Sequence, residues 1–324
     1  MRVAVLGLGS MGNRRIRLIS KYSETIQIVG VDINEERRRK CELEYGVETF
    51  CSLTDAAHID CAFVCTGPLS HSEIIMQCLK QGIHVFSELN LVVDGYEDNI
   101  ALAKQKELVL FMSSTFLYRD EIKQIKNSMQ QANCMLNYTY HIGQYLPDWH
   151  PWESYKDFFV GNKRSNGCRE IFAIELPWLS ELFGDIVEVN VLKSKMSNLD
   201  INYDDNYLVL IQHASGYKGT LAVDVVSRKA VRNLEVFGEH LYLHWDGSPT
   251  GLYVYDFEAK VDVNIQAYVE IDQLDNYSGF IVENAYLNEV ISFFDAITEK
   301  KMPVYSFEKD KEILKIIDRI EGLT

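Results

Sequence analysis

Basic residues are in short supply in this sequence. Its 32 lysines and arginines face 47 aspartates and glutamates, a formal charge of −15, and a field of that sign repels phosphate backbones and anionic membranes. Neither nucleic acid nor a membrane surface is expected as a partner. The one dense basic run, Arg37 to Lys40, sits among acids on an expected helix and reads as a solvated face. Cysteine pairs are missing as well: the seven cysteines are odd in number and none is spaced as CxxC, which favours a reducing compartment and leaves zinc without an obvious home. Cys61 and Cys65 alternate with apolar residues and read as buried strand thiols. No run of about 18 apolar residues occurs, and the opening "MRVAVLGLGSMG" is too short for a signal peptide. A cytoplasmic protein is expected.

What is present is a regular alternation. The runs "RVAVLGLG", "IQIVGVDI", "CAFVCTG", "IHVFSEL" and "LVLFMSS" are β-branched or aromatic and are separated by amphipathic segments, the rhythm of parallel βαβ units. In "HSEIIMQCLKQG" Ile74, Ile75, Cys78 and Leu79 share a helical face that stops at Gly82. After residue 120 the pattern changes to a helix over "EIKQIKNSMQQ", an aromatic loop, a helix near 168 to 183, and long alternating segments with a hairpin at "HASGYKG". Two amphipathic helices close the chain. The expected division is a nucleotide-binding α/β domain over 1–119 and a second α/β domain, helices on a mostly antiparallel sheet, over 120–324.

The chemistry begins at "VLGLGSMG". Gly7, Gly9 and Gly12 stand in GxGxxG spacing after a strand and before the helix-like "NRRIRLISKY", and Ser10 and Met11, between Gly9 and Gly12, are expected to join the cofactor contacts. The first glycine suits a tight turn, the second lets a pyrophosphate approach the backbone, and the third allows close helix packing. Asp32 follows Gly12 by 20 residues at the end of the second strand, where a carboxylate accepts hydrogen bonds from ribose hydroxyls and repels a 2′-phosphate. NAD is expected rather than NADP, although Arg14 and Arg15 keep NADP open because either could reach a phosphate. Thr66, Gly67 and Pro68 form a loop at the carboxyl edge of the sheet, where ligands collect. His71 opens the next helix as a capping or cofactor-lining residue.

Taken together, "GLGSMG", Asp32, "CTGPLSH", Glu88 and the late "ENAYLNEVISFFDAI" resemble the glucose-fructose oxidoreductase, inositol dehydrogenase and rhizopine-catabolism (Gfo/Idh/MocA) family. The resemblance is strong over residues 1 to 115 and patchy beyond. It implies a doubly wound Rossmann domain, a second domain on a large open sheet used for homo-oligomer contacts, and NAD(P)-dependent chemistry at one carbon of a sugar or cyclitol. It also implies that Glu88 lies by the cofactor. Two departures stand out. The family's Glu-Lys-Pro is here Glu88, Leu89 and Asn90, so its proton-carrying lysine is gone. Its Asp and, four residues later, His become Glu170 and Ile174 when "LFG" is set in register.

A replacement proton carrier is sought in "GQYLPDWHPWESYKDFF". Trp149 and Trp152 either pack a domain junction or stack on a sugar. Among the titratable groups that accompany them, His150 is the acid/base candidate, with Glu153 to orient it and Tyr155 as another choice. Lys163, Arg164 and Arg169 follow closely and could hold a substrate carboxylate or phosphate; Glu170 joins them as a substrate contact. His240 and His244 read as ordinary sheet residues. The leading expectation is an NAD-dependent oxidoreductase acting on a sugar or sugar nucleotide. A non-catalytic NAD-binding sensor and a redox-neutral enzyme with tightly held NAD are the alternatives.

Overall fold

A computed structural model of the protein describes residues 1–150, 153–274 and 279–323. Backbone contacts divide it into two units, Met1–Ser114 with Tyr286–Glu312, and Thr115–Ala285 with Ile313–Thr324. The first boundary thus falls five residues before the expected one. More consequentially, residues 286–312 return to the first unit. Sequence patterning alone could not place them there, because the contacts that hold them are made to strands about two hundred residues earlier.

In the first unit β1 (Arg2–Leu6), α1 (Ser10–Tyr22), β2 (Gln27–Val31), α2 (Glu35–Tyr45), β3 (Glu48–Phe50), β4 (Cys61–Val64), α3 (His71–Lys80), β5 (His84–Ser87), α4 (Tyr96–Gln105) and β6 (Leu110–Met112) follow one another. The strands pair in parallel in the order β3-β2-β1-β4-β5-β6, the doubly wound arrangement whose strand order reverses at β1 and β4. Strand β3 was not expected; three residues are too few to show a period. The strands are buried almost throughout, as parallel strands covered on both faces must be. Phe63 of β4 stacks on Phe86 of β5 at 4.7 Å, and Phe86 on Phe111 of β6 at 5.0 Å. Phe293 meets each of the three rings edge-on, so the returning segment completes this core.

The second unit carries α5 (Asp120–Ala132), β7 (Leu136–Gly143), α6 (Gly167–Phe183), β8 (Ile186–Ser194), β9 (Asn206–His213), β10 (Lys218–Asp224), β11 (Val231–Gly238), β12 (Leu241–Trp245), β13 (Leu252–Asp256) and β14 (Val261–Asn264). Helices α7 (Glu283–Thr298) and α8 (Phe307–Glu321) end the chain. The eight strands form one sheet, β14-β13-β12-β11-β7-β10-β9-β8, antiparallel except where β10 runs parallel to β7. The expected hairpin joins β9 to β10, with Gly216 at φ +89°. Tyr207, Val209 and Ile211 of β9 are buried while the alternate residues Leu208 and Leu210 are exposed, the two-residue period of a sheet with one covered face. Because β7 and β10 are parallel, both finish at the same sheet edge, Gly143 opposite Asp224. The long loop after β7 and the short loop after β10 leave from there together.

Candidate active site

Local geometry in the first unit fits a dinucleotide cradle. Gly7 has φ +95°, and a Cβ there would lie 2.8 Å from the Cys65 carbonyl oxygen. A Cβ on Gly12 would come within 1.9 Å of the Gly7 carbonyl oxygen, so only glycine lets α1 approach the strand this closely. Gly9 caps α1 without a side-chain hydrogen bond, and the first turn holds no acidic residue. The amides of Ser10 and Met11 are thus left at a helix N-terminus suited to an anion. Asp32 ends the second strand as expected. Its Oδ2 accepts from the Leu8 amide at 2.8 Å and its Oδ1 from the Asn34 amide at 2.8 Å, so the carboxylate also ties the glycine turn to β2.

The arginine beside this site is a different one from those expected. Arg15 is fully buried; its Nε donates to Glu88 Oε1 at 2.5 Å and its Nη2 to Glu289 Oε2 at 2.8 Å. Burial works against its charge, but the two carboxylates outweigh that and hold its pKa above the ordinary value. Arg14 is buried too, over the Tyr286 ring at 4.4 Å. Both point into the unit, so neither serves as the phosphate-reaching residue. Instead Arg37, read as solvated, has Nη1 3.9 Å from Asp32 Oδ2, and Arg38 donates to the Asp32 carbonyl at 2.7 Å. A basic run on one helix looks uniform in sequence; the start of α2 beside Asp32 is what singles out its first two arginines.

Glu88, expected at the cofactor, gives both carboxylate oxygens to Arg15. The loop of Thr66, Gly67 and Pro68 lies at the carboxyl end of β4, with Gly67 exposed and Pro68 buried. His71 is buried in the first turn of α3 and bridges two loops: its Nε2 is 2.9 Å from the Thr66 carbonyl oxygen and its Nδ1 2.6 Å from Asn90 Oδ1. Burial lowers its pKa while these two acceptors pull the other way. Asn90 therefore has a definite place in the fold without the family's proline. Leu89 is half-buried beside it.

In the second unit the aromatic loop starts at the sheet edge described above. Trp149 Nε1 donates to the Gln144 carbonyl at 3.3 Å, and a Cβ on Gly167 would touch the Trp149 ring at 3.4 Å, so this indole lies over the first turn of α6. His150 donates from Nδ1 to Glu153 Oε1 at 2.6 Å and its ring meets Phe158 at 4.2 Å. Tyr155 accepts at its hydroxyl from the Asp200 amide at 3.1 Å. Trp152 lies outside the described residues.

The three cations expected to act together are separated. Lys163 and Arg164 are exposed on a single 3-10 turn, whereas Arg169 is buried and donates to Glu321 and, at 2.7 Å, to Asp318. Asn166 caps α6, accepting from the Arg169 amide at 2.8 Å and donating to Glu321 at 2.6 Å. Arg169 is thus a clamp between the start of α6 and the end of α8, which corrects its reading as a substrate contact. A cation that sequence reasoning passed over is Arg228, exposed in the loop after β10 with its guanidinium 4.0 Å from the Tyr145 ring; a cation over an aromatic face could have been sought only once the two loops were known to be neighbours. Glu170 and Ile174 face the same side of α6, one turn apart. The Glu170 Oε2 is closed to solvent and lacks a hydrogen-bond partner, and burial raises the carboxyl pKa to about 8. Among the described residues no three His, Cys, Asp or Glu side chains gather as metal ligands, and no helix is long and apolar enough to cross a membrane.

A parallel sheet of this order, with a glycine turn and a strand-end aspartate at its switch point, defines a dinucleotide-binding domain. Residues 1–114 match the oxidoreductase family described by its NAD-binding Rossmann fold, GFO_IDH_MocA. This N-terminal domain belongs to the Gfo/Idh/MocA family, and NAD is its cofactor class. The chain is 26% identical over 138 residues to the myo-inositol 2-dehydrogenase of Thermotoga maritima, a match spanning 41% of this chain and 41% of that relative. Likeness of fold extends further. The UDP-N-acetylglucosamine 3-dehydrogenase GnnA of Acidithiobacillus ferrooxidans superposes with a TM-score of 0.75 at 18% identity, covering 99% of this chain and 97% of that one. The myo-inositol 2-dehydrogenase of Lactobacillus plantarum gives 0.80 at 17% identity, covering 99% and 96%.

Proposed function

We propose that this chain is an NAD-dependent oxidoreductase that transfers a hydride at a hydroxyl carbon of a sugar. An activated or acidic sugar, such as a sugar nucleotide, is the substrate class. The observation that carries the reading is the cradle at the end of β1: three glycines whose missing Cβ atoms make room for close approach, a helix N-terminus without its own anion, and Asp32. Kinship with sugar and cyclitol dehydrogenases supports the substrate class. In the second unit Trp149, over the first turn of α6, offers the flat apolar surface on which sugar rings stack. Lys163, Arg164 and Arg228 are exposed cations in an acidic protein and supply the charge an acidic or phosphorylated group would meet.

The deciding experiment is a spectrophotometric screen for NADH formation across inositols, UDP-hexoses and UDP-N-acetylhexosamines, alongside calorimetric titration with NAD and NADP. Tighter binding of NAD and oxidation of at least one panel member are expected; binding of neither dinucleotide sinks the proposal. A second reading, a non-catalytic NAD-binding sensor, is favoured by Leu89, an apolar side chain where the family carries lysine. NAD binding with no panel member oxidised would decide for the sensor.

A further inference from the structure

His71 stands between two groups that both act as acceptors. The Thr66 carbonyl, 2.9 Å from Nε2, can only accept, so Nε2 carries a hydrogen and a neutral ring is left with a bare lone pair on Nδ1. That lone pair needs a donor, yet at 2.6 Å it meets the amide oxygen of Asn90. Two arrangements remove the conflict. Either the ring takes a second proton, or the Asn90 amide turns over and presents Nδ2, an exchange that keeps the same shape.

The far side of Asn90 opposes that turn. There Nδ2 lies 3.6 Å from the Met112 sulfur and within hydrogen-bonding range of the Tyr96 hydroxyl, whose own hydrogen goes to Asp310. Tyr305 donates to the second Asp310 oxygen at 2.9 Å. A turned amide sets its oxygen against the Tyr96 oxygen, unless Asp310 is protonated and frees Tyr96 to donate to Asn90. The relay running from His71 through Asn90 and Tyr96 to Asp310 is therefore satisfied at both ends only while it holds one proton, on His71 or on Asp310. All four residues are buried. Burial draws the two pKa values together, lowering that of His71 and raising that of Asp310 to about 6, so the proton belongs to the pair. Glu88, just past β5, is the charge that acts on His71, and Arg15 holds it; Tyr96 of α4 and Tyr305, ahead of α8, are the groups on Asp310.

At the other end of the relay is the loop after β4, which lies against the glycine turn. A Cβ on Gly7 would stand 2.8 Å from the Cys65 carbonyl oxygen and 2.9 Å from the Thr66 amide nitrogen. Leu6 holds this loop by accepting from the Cys65 amide at 2.7 Å, and His71 holds it by the Thr66 carbonyl. We propose that Asn90 is a positioning residue of the dinucleotide site: acting through His71 it fixes the Thr66 loop, and the proton shared between His71 and Asp310 sets how firmly. This rests on the cofactor reading above and adds a pH dependence to it. While the proton is held, every member of the relay has its partner; once it is lost, acceptor faces acceptor on one side of Asn90 and the hold on the loop loosens. A proline at this position has no amide to turn, so the relay is a property of Asn90.

Calorimetric titration of the full chain with NAD across about pH 5 to 9 tests this. The wild-type Kd should rise about three- to tenfold as the shared proton is lost, the worth of one hydrogen bond. Asp310→Asn supplies an amide that can donate to Tyr96, and Tyr96→Phe removes the hydroxyl; each leaves Asn90 free to turn and donate to a neutral His71. Both should bind NAD as tightly as the protonated wild type and show no such rise, and if one does not fold the other carries the test. Asn90→Leu should keep the weaker Kd at every pH. In ¹⁵N-histidine spectra of the wild type the His71 nitrogens should shift over the same pH interval as the Kd. A flat wild-type Kd, a rise that persists in either relay variant, or His71 resonances that stay fixed while the Kd changes overturns the proposal and leaves the cofactor reading standing. If NAD binds at no pH, the cofactor reading falls and this one with it.

Discussion

Arg15 in the first unit and Glu170 in the second are ionisable side chains in the interior, and the protein treats them in opposite ways. Around Arg15 everything compensates: two carboxylates, the Tyr286 carbonyl at 3.2 Å, and the faces of Phe86 and Tyr286. Around Glu170 nothing does. The compensated charge is held ionised and knits the glycine-turn helix to β5 and α7, whereas the uncompensated one is held in its proton-bearing form until pH 8. The contrast separates two uses of buried charge. A paired one specifies structure, and an unpaired one costs stability at the pH where it must ionise.

The comparison breaks most visibly if Arg15 is removed. Arg15→Met leaves Glu88 and Glu289 buried near each other with no cation. Breaking a buried pair from one side costs about 3–5 kcal/mol, and urea unfolding should show a loss of that order at pH 7. Because the stranded carboxylates can shed their charge by protonating, the loss should shrink toward acid pH. Restoring neutrality with Arg15→Met/Glu88→Gln/Glu289→Gln should recover most of the stability. A single variant as stable as wild type would mean that the cluster is not what secures this part of the fold.

How far these roles were legible in the sequence follows the span of the contacts. Gly7, Gly9, Gly12 and Asp32 could be read because a tight turn and the strand that follows it are local, and the two-residue and helical periods gave most of the elements. Setting "LFG" in register brought Glu170 to notice, since one helix carries both. The partners of Arg15 lie 73 and 274 residues away, and the Glu321 partner of Arg169 lies 152 away; an isolated arginine in a motif or a loop reads as a ligand for phosphate when its carboxylate is that remote. The same distance hid the return of residues 286–312 to the first unit. Nor does spacing reveal that a carboxyl has no partner, because solitude is a property of the packed interior.

A smaller effect is expected at Asp32, which stands between the two cases: it is 8% exposed and hydrogen-bonded to the protein, yet placed for a ligand. In the proposed reading Asp32→Ala removes an acceptor for the ribose hydroxyls and the repulsion of a 2′-phosphate, and it leaves Arg37 without the carboxylate 3.9 Å from it. Charge-assisted hydrogen bonds are worth about 1.5–3 kcal/mol, so NAD affinity should fall by roughly ten- to a hundredfold while NADP changes little. Titration of both dinucleotides checks this. A preference for NAD that survives the substitution would move the discriminating contact away from Asp32.

The last expected effect is also the sharpest probe of the contrast, because its sign is the reverse of what a structural carboxylate would give. With a folded pKa of about 8 against an ordinary 4.5, Glu170 is protonated in both states at acid pH and takes nothing from stability there. As pH rises past 4.5 the unfolded chain ionises freely while the folded one does not, so stability drains away through the window up to about 8 and then levels off. Glutamine has the same shape and never ionises. Glu170→Gln should therefore match the wild type in this respect near pH 4.5 and melt higher at pH 8, by at least about 2 °C, the shift that roughly 1 kcal/mol produces in a domain of this size. Removing Arg15 should harm stability most at neutral pH; removing the Glu170 charge should help there. A lower melting temperature for Glu170→Gln at pH 8 would place Glu170 with Arg15, among the charges that hold the fold.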